Sequence, residues 1–196
     1  MRNLFAVLLA GGLMYAQAPG QGERGRAMSD LHATRRLFLD AVGPLTPAQW
    51  KFKPAPDRWS IAEIAEHIAL SEDMIFQVVT EKILKSPADA SKKSEVKDEE
   101  VLRIVADRST KATAPERLQP TGRWPTKQAV MDHFKASRDR TIEYIQTTQD
   151  PLRRHFMQNR TAGMLDAYQW ILVISAHSQR HIDQIKEVMA QPGFPK

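Results

Sequence analysis

The chain has 196 residues, 42% of them hydrophobic and 26% charged, which is the length and balance of a single domain with a core of its own. It contains no cysteine, so disulfides, thiolate nucleophiles and Cys-ligated zinc are excluded. The net charge of +5 is spread rather than concentrated, with Lys and Arg interleaved among acids as in Lys92 to Glu100, a pattern of solvated surface and not of a nucleic-acid-binding face.

The N-terminus reads as a targeting segment. Arg2 supplies a positive start, Leu4 to Tyr15 is an apolar run of 12 residues, and Ala16-Gln17-Ala18 offers the small-x-small pattern of a cleavage site. The run is shorter than the roughly 20 residues needed to span a bilayer. Residues 1–18 are therefore expected to be a signal peptide and the protein to be exported, periplasmic or secreted. Pro19 is a poor residue to follow a cut, so an uncleaved N-terminal anchor is the alternative. Residues 19–28 are expected to form a flexible lead-in. They contain a literal G-x-G-x-x-G from Gly20 to Gly25, but no strand precedes it and the βαβ context of a dinucleotide site is missing.

Residues 29–190 read as an all-α domain. The first long helix is expected over about Ser29–Val42, with Leu31, Phe38 and Val42 on one face and Gly43-Pro44 as its stop. One short helical piece should follow Thr46. The second long helix opens on a capping box, Ser60 with Glu63, and carries Ile61, Ile64, Ile68, Ile75, Val78 and Val79 as one apolar stripe to about Leu84. Lys85 to Pro125 is a long connection with one short helix near Glu99–Arg108. The third long helix spans about Thr126–Thr147, striped by Val130, Phe134, Thr141 and Ile145. The fourth spans about Leu165–Met189 and stops before Pro192-Gly193. Four helices with one long connection between the second and third describe a four-helix bundle with a crossover.

The chemistry sits on the fourth helix. Its stripe runs Trp170, Ile174, His177, His181, Ile185, Val188, so two histidines occupy places where Leu or Ile would ordinarily stand. Four residues apart, they lie one above the other on the same face, about 6 Å between Cβ atoms, within reach of one ion. The bland alternative is a pair of core histidines hydrogen-bonded to neighbours. A third ligand comes from His67, at the edge of the second helix's stripe, or from His133 beside Phe134. His32, among polar neighbours, and His155, in a basic stretch, are weaker candidates. Glu63, one turn before His67, is either a base or the partner of the cap; Gln184, one turn after His181, is placed to be an outer donor to the site. Position 178 is Ser, so H-E-x-x-H protease logic fails, and there is no G-x-S-x-G elbow or P-loop.

The stretch Arg58-Trp59-Ser60-Ile61-Ala62-Glu63-Ile64-Ala65-Glu66-His67, followed at a distance by His177-x-x-Arg180-His181-x-x-Gln184-Ile185, resembles the DinB-like four-helix-bundle superfamily over about residues 29–190. The resemblance implies a three-histidine site of His67, His177 and His181 for one divalent transition metal, zinc, nickel or iron(II). Three imidazoles leave positions open to water or to a small-molecule substrate. It also implies thiol-cofactor-dependent transferase or isomerase chemistry, whereas a metal-dependent hydrolase suits an exported protein better. The alternative is a non-catalytic, metal-stabilised bundle that binds a partner or a second copy of itself.

Overall fold

The computed structural model describes residues 18–109 and 113–196. The apolar run and all but the last residue of the expected signal peptide lie outside the described residues. The first helix, α1 (Gln21–Val42), starts eight residues ahead of Ser29 and takes in most of the expected flexible lead-in. Long-range contacts override the glycines there. Gly20 donates its backbone N–H to Glu23 at 2.8 Å. Arg24 donates to the carbonyls of Ile145 and Thr148, both at 2.6 Å. Glu23 pairs with Arg153 at 2.7 Å, and Ala27 is fully buried. The G-x-G-x-x-G is thus the first turn of a docked helix.

The next elements follow their capping signals. α2 (Pro47–Lys51) is capped by Thr46 and buries Trp50. α3 (Ile61–Gln77) opens on the Ser60–Glu63 box, with Ser60 N–H donating to Glu63 at 2.7 Å and Glu63 N–H to the Ser60 hydroxyl at 3.2 Å. It continues as a wider π-helical turn, Val78–Ile83, ending where the long helix was expected to end. The crossover carries α4 (Asp98–Ala106), which turns Val101 and Val105 onto the core. α5 (Lys127–Thr147) is capped by Thr126. A hairpin of two short strands, β1 (Phe156–Asn159) and β2 (Gly163–Asp166), leads into α6 (Ala167–Met189), whose cap is Asp166. This hairpin was not expected: four-residue strands carry little periodic signal. Its turn is closed by the Asn159 side chain, which accepts from the N–H groups of Thr161 and Ala162, and by Gly163 at φ +76°.

The fold is the expected four-helix bundle. α1 and α3 each pack against both α5 and α6, so α1 stands diagonal to α3, and α5 to α6. The start of α5 (Val130, Phe134) shares an apolar cluster with the start of α3 (Ile61, Ile64, Ile68), so these two helices run parallel, and the long crossover is what permits it. α6 runs the other way, adding Ile182, Ile185 and Val188 to the same cluster. The opposite half of the core is built from Ala27, Leu31, Ile75, Val79, Ile83, Ile145 and Ile171 with Val101 of α4. No described helix is long and apolar enough to cross a membrane.

Candidate metal centre

His67 arrives from α3 and is only 3% exposed; His177 and His181 come from α6 one turn apart. The three rings converge. Their centroids stand 5.1 Å (His67 to His177), 4.5 Å (His67 to His181) and 4.5 Å (His177 to His181) apart. One ring nitrogen from each lies within 4.8 Å of the other two, and among the described residues this is the group of His and acid side chains so arranged. Nitrogens on one tetrahedral ion with bonds of about 2.0–2.1 Å sit roughly 3.3 Å apart, a closure that side-chain torsions supply.

The hydrogen bonds decide which nitrogens are offered. Nδ1–H of His67 donates to the Leu118 carbonyl at 2.8 Å. Nδ1–H of His181 donates to Oε1 of Gln184, also at 2.8 Å. Both tautomers leave Nε2 as the nitrogen with a lone pair to offer, since the bond one ring nitrogen makes fixes the role of the other. Gln184 therefore touches the site as expected, but as an acceptor: a protonated Nδ1 needs an oxygen. Burial lowers the pKa of all three rings, that of His177 well below the ordinary value and that of His181 to about 3, with neighbouring rings adding to the effect at both. They are neutral at pH 7, the form in which imidazole binds metal.

Around the cluster, the Trp59 ring lies 5.0 Å from that of His67. Arg108 makes a two-pronged pair with Glu187 of α6, both contacts at 2.7 Å. A recess of about 520 Å³ on the neighbouring face of α3 is lined by Trp50, Lys53, Glu63, Glu66, Thr121 and Trp124; the histidines are not among its walls.

The remaining candidates are employed elsewhere. His133 is held by Asp73 at 2.6 Å and stacked 4.4 Å from Trp124, away from the cluster. His155 is tied to the Ser86 carbonyl at 2.8 Å, and His32 is an exposed residue of α1. Glu63 is spent on the cap and on Lys53, 3.0 Å away, so it is no free base.

Two buried acids escaped the reading of the sequence. Glu66 accepts from the backbone N–H groups of Thr121, Gly122 and Arg123 at 3.0, 2.9 and 3.2 Å, with Gly122 at φ +75° bending the chain around it. Together with the His67–Leu118 bond this fastens the crossover over the histidine-bearing part of α3. Glu72 is paired with Arg138, fully buried on α5. The signal was present: position 72 interrupts the stripe between Ile68 and Ile75, and 138 the stripe between Phe134 and Thr141.

The chain is thus a four-helix bundle with three converging imidazoles in its core, and the comparisons give its family. Residues 30–185 match the sequence profile of the DinB superfamily, and the chain belongs to that family. It is 24% identical over 161 residues to YuaE, an uncharacterized protein of Bacillus subtilis (strain 168), a match covering 82% of this chain and 96% of that one. Its fold is similar to that of YfiT from Bacillus subtilis, described as a probable metal-dependent hydrolase with an unusual four-helix bundle topology. The TM-score is 0.52 and the identity 17%, covering 91% of this chain and 92% of that one.

Proposed function

We propose that the protein is a metal-dependent hydrolase whose single divalent transition metal is held by His67, His177 and His181. The observation that carries this reading is the convergence of three neutral imidazoles, two with Nδ1 already committed to an oxygen and Nε2 left over. Nitrogens with free lone pairs gathered at one point in the core suit a cation better than they suit one another, since neutral acceptors brought together offer each other no donor. Three nitrogen ligands suit zinc, nickel or iron(II). The bound ion would supply Lewis acidity toward a water molecule or a substrate carbonyl oxygen. The chain's own part is to present Nε2 through Leu118 and Gln184, to wall one side with Trp59, and to keep the rings unprotonated. The description of YfiT as a probable hydrolase agrees with this reading.

Cobalt(II) substitution tests it. Loaded protein should show a visible spectrum that shifts when azide is added, because positions remain open, and should cleave 4-nitrophenyl acetate faster than the metal-free form. A loaded protein indifferent to azide and to the ester would instead be a metal-stabilised binding module.

Export remains part of the proposal, on the strength of Arg2, the apolar run and Ala16-Gln17-Ala18. The docked start of α1 sharpens the expected cut. Pro19 is buried and Gly20 is the helix cap, so cleavage should fall ahead of Gly20. Mass spectrometry of the mature N-terminus decides it; a terminus beyond Arg24, which would discard the contacts to Ile145 and Thr148, contradicts it.

A further inference from the structure

The two apolar halves of the core are separated by one polar layer to which all four long helices contribute. Arg138 of α5, 0% exposed, uses every one of its five N–H donors there. Nε and Nη2 grip Glu72 of α3 at 2.8 and 2.6 Å. Nη1 reaches the Leu31 carbonyl at 2.5 Å and the Thr34 hydroxyl of α1 at 2.7 Å. Nη2 also meets the Ser178 hydroxyl of α6 at 3.0 Å. Ser178 lies 2.7 Å from Glu72 as well, and the Thr34 hydroxyl donates to the Asp30 carbonyl at 2.8 Å. One positive and one negative charge cancel, and no guanidinium donor is left over.

This layer lies next to the histidines. Glu72 is five residues beyond His67 on α3, about 7.5 Å along the axis. Ser178 follows His177 directly and precedes His181 by three. The apolar residues on either side, Ile64 and Ile182 toward the histidines, Ile75 and Ile174 away from them, contribute burial that is non-directional and carries no bond that fixes a rotation. A metal site does not: its ligands must be held to about 0.5 Å and 10–20°. A buried ion pair adds little net stability over apolar residues of the same volume, and its best-attested use is to fix register.

We infer that Glu72, Arg138 and Ser178 are positioning residues, a register lock that sets the rotation of α6 against α3 and so aims His177 and His181 at His67. The inference rests on the metal reading above. The test compares cobalt(II) binding and its visible spectrum with the melting of the metal-free protein, in the wild type, in the double variant Glu72→Leu/Arg138→Met and in Ser178→Ala. The double variant should fold and melt at or above the wild-type temperature. Its cobalt(II) affinity should nevertheless fall by about tenfold or more, as for residues that orient ligands, with an altered spectrum. Ser178→Ala should show a smaller loss in the same direction. A wild type that binds cobalt(II) alongside a folded double variant with the same affinity and spectrum overturns the positioning role and leaves the metal site standing. If the double variant does not fold, Ser178→Ala decides alone, and wild-type binding by it overturns the role. A wild type that takes up no metal overturns the metal reading, and this inference with it.

Discussion

Two polar clusters lie within two turns of each other in the core of the bundle, and they are built on opposite principles. In the Glu72–Arg138 layer every guanidinium donor is met and the charges cancel. In the histidine cluster the hydrogen bonds among the described residues run outward, from Nδ1 of His67 and of His181, while one nitrogen of each ring lies within 4.8 Å of the other two. A closed network specifies a structure; an open one of the same size specifies a ligand. Neighbourhood in the core is therefore no guide to role, and the count of satisfied atoms is.

The comparison breaks most visibly on single substitutions in the closed network. Glu72→Leu strands a buried guanidinium and should cost about 3–5 kcal/mol of stability in urea unfolding. The same measurement on metal-free His177→Leu should show little loss, since it fills an apolar stripe position. Equal losses at the two sites would erase the distinction.

A pH series should separate the regions next. The cluster's imidazoles have folded pKa values below the ordinary 6.5, that of His181 at about 3. The unfolded chain thus binds more protons in this window, and stability of the metal-free protein should fall as pH drops from about 6.5 toward 3. Replacing all three histidines by Leu should flatten that part of the profile; an unchanged slope would mean that other groups carry it.

Two smaller effects sharpen the open site. His67→Ala should sharply weaken zinc binding measured by competition with a chelator, while His133→Ala, lost from Asp73 and Trp124, should leave it within a factor of about two, below the tenfold threshold expected of a group that orients ligands. Gln184→Ala, removing the acceptor that orients His181, should weaken it about tenfold, or about 1.4 kcal/mol. A loss at His133 larger than at His67 would move the third ligand to α5.

Much of this was written in local spacing. The Ser60–Glu63 box, the stripes of the long helices and the i,i+4 pair His177/His181 are short-range patterns, and each appears where expected. The start of α1 was not, because what makes Gly20–Arg26 helical is a set of contacts to Ile145, Thr148 and Arg153, more than a hundred residues away. The Glu72–Arg138 pair stood on its stripes as two anomalies, but pairing them requires knowing that α3 and α5 run parallel. The Glu66 cradle depends on a loop closed by a positive-φ glycine, which no periodicity announces.

The most direct test of the central claim is metal analysis of untagged protein by mass spectrometry of the released ion, alongside His177→Ala. Wild type should carry close to one equivalent of a divalent transition metal, after reconstitution if purification strips it, and the variant should hold almost none while remaining folded. A wild type that stays empty with zinc, nickel and iron(II), or a His177→Ala variant that keeps its full equivalent, would contradict the account.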